Sequence, residues 1–455
     1  MNAPFVPPHP PREPGPVAVW RGFFGERART AVFGWSELAF DSWYLRRNVL
    51  GYTVHIPLHP DMVQRVLLDN AANYVKPRLV KRLLGPTVGQ GLLSSDGDHW
   101  REQRRIVAAN FAPAAIEALI PSFARAAAAA SARWADGGVV DMAAQSTATT
   151  MRVIADALFA GDPRLITDAA MAHISAALDG VSEARLQVLL GLPMMPWSRR
   201  GLRARRGQQY LRRTLTEVVA DRLPDGGPDD FLGRLIRALQ DRFESEEALA
   251  LAVDNAATFY LAGHETTANA LTWTLYLLSE QPELQAQAAA EARQALAAGQ
   301  ALAAGEDDAG LPERLPRLRL ILEESMRLYP PVPRFDREAV AADRLGDAEV
   351  SPGDIISIWP WIIHRHRRLW DEADAFLPDR FAAGKAERHR FQYVPFGGGP
   401  RLCVGARFAT SEALTILAHW LARWRFAPIP GREVRTSGMV TLRPAGGLPL
   451  RITSS

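Results

Sequence analysis

The longest periodic stretch of the chain is Ser245–Ser279, mostly apolar, with Asp254, Asn255, His264, Glu265 and Asn269 placed singly within it. Ser245 stands where an N-cap belongs, and Glu246 and Glu247 follow in the first turn, where the helix dipole favours acid. At ~1.5 Å per residue this helix spans a whole domain. Shorter helical patterns cover residues 60–68, 98–110, 113–134, 143–159, 231–240, 282–297, 316–329 and 406–421. Residues 164–223 read as several helices, broken near Gly191, Pro193, Pro196 and Gly201. Strand patterns are fewer: 51–57, 355–359, and a terminal hairpin over 441–452 bending at Gly446-Gly447. Residues 74–97, rich in Gly, Pro and Ser, read as a long irregular segment, and 299–310 as a low-complexity loop. No internal repeat appears, and no linker divides the chain. The expectation is a mainly α fold with a smaller β portion sharing one core.

Composition changes little in this picture. Of 455 residues, 47% are hydrophobic and 23% charged, as in an ordinary globular protein large enough to enclose a cavity. A net charge of +3 suggests no nucleic-acid partner. Seven prolines crowd residues 1–16, so the start reads as an extended arm and not a signal peptide. The best candidate span, 248–278, carries polar residues at its middle, so no membrane anchor is expected. A cytoplasmic, bacterial-type protein is the resulting expectation.

One cysteine, Cys403, excludes an internal disulfide and a cysteine-based zinc site. It closes the glycine-rich run Phe396-Gly397-Gly398-Gly399-Pro400-Arg401-Leu402-Cys403-Val404-Gly405, which leads straight into a helical segment. A thiolate at a helix start is favoured by free N–H groups, and a lone one suits an axial haem ligand. In the long helix, Ala262-Gly263 removes bulk from one turn beside Glu265 and Thr266. Such a turn could seat a small ligand and relay protons. Packing against a neighbouring helix explains the same residues equally well. His264-Glu265 lacks the second histidine of a metalloprotease, because Ala268 stands there. Glu324 and Arg327 share a helix face, with Arg380 as a third member or Glu323 as a rival partner. Trp100 and Arg104, one turn apart after His99, could hold a carboxylate, or could simply be a core indole and a solvated arginine.

Together these residues resemble the cytochrome P450 family. FxxGxRxCxG (Phe396, Gly399, Arg401, Cys403, Gly405), AGxxT (Ala262, Gly263, Thr266), ExxR (Glu324, Arg327), PxRF (Pro378, Arg380, Phe381) and WxxxR (Trp100, Arg104) occur in that family's order and approximate spacing. The likeness implies a P450 fold over 17–455, with the long helix crossing haem b and the arm preceding it. It implies Cys403 as thiolate ligand, with N–H groups of Val404, Gly405 and Ala406 toward the sulfur. Arg401, Arg104 and Trp100 would hold propionates, with Arg337 and His99 as helpers. Glu324, Arg327 and Arg380 would form a structural network. Thr266 and Glu265 would deliver protons to bound O2. Phe259, Ala262, Val332, Pro333 and residues 76–93 would wall a pocket for an apolar substrate such as a terpenoid or fatty acid, to be hydroxylated or epoxidised. Electrons would come from an external ferredoxin or flavodoxin with its NAD(P)H reductase, docked on Arg365, Arg367, Arg368, Arg388, Arg390 and Arg407. A peroxide-driven or reductase-independent P450 and a non-catalytic haem protein are the alternatives. The run His364-Arg365-His366-Arg367 departs from the family's usual His-Arg-Asp-Pro and puts the local turn in question.

Overall fold

The protein is described by a computed structural model. The described residues are 4–455 except 19–20, 23, 168, 175, 178–186, 188–197, 224–229, 303–309 and 385–386. The expected breaks at Gly191, Pro193 and Pro196 lie outside them.

The central helix is Ser245–Ser279 and is buried over most of its length. Its apolar residues point in every direction, so it needs partners all round. Helices Met142–Phe159, Arg199–Ala220, Phe231–Gln240, Pro316–Leu328 and Ala406–Arg423 supply them. Ser245 is not the N-cap. Glu244 occupies that position without a side-chain bond, and the acidic first turn serves instead. The polar residues that argued against a lipid span clamp a loop. Asn255 accepts from the Leu92 N–H (3.0 Å) and donates to Gln103 (2.8 Å). Asp254 takes the Gln90 N–H (2.6 Å) and pairs with Arg212. Among the described residues no single helix is long and apolar enough to cross a membrane.

A five-stranded sheet flanks the helices in the order Tyr44–Val49, Tyr52–Pro57, Ile355–Ile358, Phe335–Ala339, Tyr74–Val75. Val54 meets Ile355 in its one parallel pairing, and the other pairings are antiparallel. A three-stranded sheet joins Val139–Asp141, Pro449–Ser454 and Trp424–Pro428.

Several expectations are corrected. Residues 74–97 are not irregular throughout, because Arg78–Val88 is helical despite Pro86. Residues 113–134 split into Pro113–Glu117 and Ile120–Ser131. Gly201 lies inside the first turns of Arg199–Ala220, where Ser198 caps the helix, so it breaks nothing. Gly299 belongs to Pro282–Leu302. There is no terminal hairpin over 441–452. Arg443–Pro444 pairs with Thr436–Ser437, and Pro449–Ser454 pairs with two distant strands. The proline-rich arm is docked on the body. Phe376 donates to Phe5 O (2.8 Å), Tyr329 to Pro8 O (2.6 Å) and Arg12 to Asp374 (2.9 Å).

Candidate active site: a cavity between Cys403 and the central helix

The glycine-rich loop is pressed hard against its neighbours. Gly399 has φ +65°, and a Cβ there would lie 1.7 Å from Leu67 O, so only glycine fits. The Cys403 N–H donates to Phe396 O (3.0 Å), closing the loop just before Ala406–Arg423. Cys403 lies deep among other residues, yet its sulfur is open because it faces a cavity. Burial pushes its thiol up, while the Gly405 N–H and the Arg104 charge pull it down. Of the three N–H groups expected at the sulfur, that of Gly405 makes this contact.

Ala262, Gly263 and Thr266 of the central helix line the same cavity. Gly263 is small for a packing reason too, since a Cβ there would meet Ile154 Cδ1 at 2.6 Å. The Thr266 hydroxyl donates to Ala262 O (2.8 Å). Glu265 departs from expectation. It does not line the cavity, and its Oε1 accepts from the Thr441 hydroxyl at 2.6 Å.

Cations gather at one side. Trp100, Arg104, Arg337 and Arg401 all line the cavity, as does Lys76. Arg401 stacks 4.3 Å over Trp100, pairs with Asp96 and donates to Ser95 O (3.0 Å). Burial, then Arg401, push Arg337 down to about 10. Burial and the charges of Arg337 and Arg401 hold Lys76 well below the ordinary lysine range. Like charges held together beside a cavity call for anions within it. Two propionates would answer that need, and an open cysteine sulfur suits haem iron, so these residues fit haem. His99 is not among them: its ring packs edge-on against Phe243 and its Nε2 lies 3.6 Å from Glu247. Pro333 also lies outside the cavity, whereas Phe259, Val332, Lys76, Leu92, Leu93 and Phe396 line it.

Two groups escaped the sequence reading. Lys76 was named only as the edge of a loop. Its signal was rarity, as it is one of three lysines in an arginine-rich chain. Glu412, on Ala406–Arg423, is fully buried, with the Thr267 side chain beside its carboxyl. Burial pushes its carboxyl well above the ordinary range, against the Thr267 hydroxyl, which pulls it down. A glutamate amid the apolar residues of 406–421 was the available signal.

The network below the loop forms with Glu324, not Glu323. Arg327 bonds both Glu324 oxygens (2.7 and 2.8 Å) and the carbonyls of His364, Ala373 and Ala375 (2.6, 2.7 and 2.9 Å). Glu324 also accepts from Arg380 Nε (3.1 Å) and the Leu377 N–H (2.8 Å). The unusual run 364–367 is built into this region. His364 Nε2 takes the Val394 N–H (2.9 Å), and His366 stacks on Trp43 at 4.4 Å. Arg365 is removed from the expected docking surface. It is 1% exposed, lies 3.7 Å over Trp361 and pairs with Asp374. Arg367 pairs with Glu37 and Asp41, and Arg407 lies 3.5 Å from Glu313. Among the described residues no cluster of three or more metal-ligating side chains forms.

A cysteine sulfur facing a small-residue turn across a cation-rimmed cavity is the arrangement that a thiolate-ligated haem would need. Comparison with known proteins specifies the family: the cytochrome P450 profile matches residues 44–447, and the chain belongs to that family. Cyclooctatin synthase of Streptomyces melanosporofaciens is 34% identical over 88% of this chain and 85% of its own length. Pentalenene oxygenase of Streptomyces avermitilis is 28% identical over 97% and 96%. Cytochrome P450 714C3 of Oryza sativa is 30% identical over 87% and 78%. The protein is a P450 monooxygenase by family, and the family binds haem.

Proposed function

We propose that this protein inserts oxygen from O2 into a cyclic hydrocarbon of the terpenoid class, by hydroxylation or epoxidation. The observation that carries this is the apolar part of the lining, which includes Leu92, Leu93, Phe259, Pro331 and Val332. The lining hydroxyls of Thr258 and Thr266 already donate to Asp254 O (2.9 Å) and Ala262 O (2.8 Å). A substrate that needs no hydrogen bond fits such a lining better than a fatty acid, because in this reading the cavity's cations, Lys76, Arg104, Arg337 and Arg401, are taken up by the propionates. The relatives named cyclooctatin synthase and pentalenene oxygenase support the same class.

In this reading Cys403 ligates haem b, and Arg104, Trp100, Arg337, Arg401 and Lys76 hold its propionates. When bound, a thiolate-ligated haem supplies O2 binding and O–O cleavage. Thr266 presents a proton at the cavity, and Glu265 resupplies it after releasing Thr441. Electrons come from a separate ferredoxin or flavodoxin and its NAD(P)H reductase, meeting Arg368, Arg388, Arg390 and Arg407. The setting is cytoplasmic. A peroxide-driven reaction is the second reading, favoured by the turn of Glu265 toward Thr441. Titration of the haem protein with cyclic terpene hydrocarbons and with dodecanoate tests the substrate class. A saturable shift of the haem spectrum by a terpene, with oxygenated product under reductant, is expected. A shift by dodecanoate alone contradicts it. Turnover with peroxide and none with ferredoxin and NAD(P)H selects the second reading.

A further inference from the structure

Asp96 stands at the N-cap of the helix Gly97–Ala109. Aspartate in that place ordinarily accepts from an N–H of the first turn. Here its side chain makes no capping bond. It holds two residues of the cavity lining instead. One carboxylate oxygen pairs with Arg401, and both accept from the Lys76 N–H (3.3 and 3.2 Å). The Lys81 ammonium completes the group, 2.7 Å from the second oxygen.

Four cations line the cavity, Lys76, Arg104, Arg337 and Arg401, and no carboxylate does among the described residues. Asp96 lies behind that lining, with its side chain 13% exposed. Asp336, the acid next to Arg337 in the chain, is engaged elsewhere: it pairs with Arg334 (3.1 Å) and accepts from the Ser357 hydroxyl (2.5 Å). One carboxylate therefore fixes two of the four cations. Arg401 gives Nη2 to Asp96 and Nη1 to Ser95 O (3.0 Å), and its guanidinium lies 4.3 Å over the Trp100 ring. A guanidinium has five N–H donors, so others remain for an anion in the cavity. Lys76 is held through its backbone, which leaves its ammonium to the cavity. Burial lowers the Arg401 pKa, and the Asp96 charge works against that.

We propose that Asp96 is a positioning residue of this site: it orients Arg401 and Lys76, and its charge sets the reduction potential of the haem. The inference rests on the haem reading above. With a cysteine thiolate and two propionates present, the four cations face three anions, and Asp96 supplies the fourth. Reduction adds one negative charge at the iron, which a fixed carboxylate nearby opposes. A purely structural tie between Lys76, Lys81 and the helix start would stabilise the fold and leave the potential alone.

The test is a dye-coupled redox titration of the haem-loaded protein, wild type against Asp96→Asn and Asp96→Glu, with the carbon monoxide spectrum recorded for each. Asp96→Asn removes the charge at nearly constant volume. The ferrous form should gain roughly 10-fold, an upward shift of ~59 mV for one electron. Asp96→Glu keeps the charge and should recover most of the wild-type value. Lys81→Gln, at a side chain 40% exposed, takes a positive charge from the same group and should move the potential down. An unchanged or lowered potential in Asp96→Asn, or an equal rise in Asp96→Glu, overturns the proposal. If Asp96→Asn does not fold or hold haem, Lys81→Gln decides, and a potential that stays or rises there overturns the proposal equally. A wild-type protein without the thiolate spectrum would instead indict the haem reading.

Discussion

Arg327 and Glu324 form a two-point ion pair wholly out of solvent, with Nε 2.7 Å from one carboxylate oxygen and Nη2 2.8 Å from the other. The remaining guanidinium protons hold three carbonyls of residues 364–375, so one side chain fixes the segment leading toward the cysteine loop. Removing either partner leaves a buried charge, which destabilises by about 3–5 kcal/mol. Glu324→Gln and Arg327→Ala should therefore lower the denaturant midpoint strongly and lose haem on purification. Arg327→Lys should do nearly as badly, because an ammonium cannot reproduce the planar fork. Wild-type midpoint and haem content in these variants would contradict the role.

Thr266 lines the cavity beside the small turn Ala262-Gly263, with its hydroxyl 2.8 Å from Ala262 O. Thr266→Ala should keep haem and reductant consumption while diverting electrons to peroxide, and Thr266→Ser should restore coupling. Glu265→Gln should slow turnover by roughly 10²-fold, the low end for a lost general acid. Product, NADPH and peroxide counted in one assay decide this. Unchanged coupling in Thr266→Ala would mean that another group relays the proton, and Glu412 is then the first to test.

His364 has its pKa pushed down to about 3 by burial, with Arg327 and Arg365 adding to it. The unfolded chain carries an ordinary histidine near ~6.5. Between those values the unfolded state binds a proton that the native one refuses. Stability is then full above ~6.5 and falls as pH drops, by about 1.4 kcal/mol per unit from this group. His366, His264 and His9 are shifted in the same direction, burial being the main cause. Urea midpoints from pH 7 to 5 should fall less steeply in His364→Gln. Parallel slopes would show that His364 is not neutral in the fold.

Arg368 and Arg390 lie over Trp43 and Phe391, and neither is in an ion pair among the described residues. Reduction by an acidic partner should slow as salt rises past ~0.1 M, where the Debye length is about 10 Å. Arg390→Glu should slow it further at low salt, whereas the ion-paired Arg367 should matter less. A salt-insensitive rate would remove this docking face.

Much of the account was legible because it is local. The central helix was fixed by its length and acidic first turn. The cysteine loop was fixed by glycines that a short motif displays. Glu324 and Arg327 lie three apart, so their pairing was expected, though nothing local chose Glu324 over Glu323. What escaped depends on distant partners. Pro449–Ser454 ignores the nearby Gly446-Gly447 bend and pairs with strands at 139–141 and 424–428. Arg365 reads as a surface charge until Trp361, Tyr329 and Asp374 close around it. Glu265 turns to Thr441, 176 positions away. Lys76 gains its meaning only beside Arg337 and Arg401.

The most direct test compares wild type with Cys403→Ser, both loaded with haem, reduced and exposed to carbon monoxide. Wild type should give the red-shifted Soret band of thiolate ligation, and the serine variant should bind haem and lose that band. An unshifted band in the wild-type protein, or a shifted one surviving in Cys403→Ser, would contradict sulfur ligation from this position.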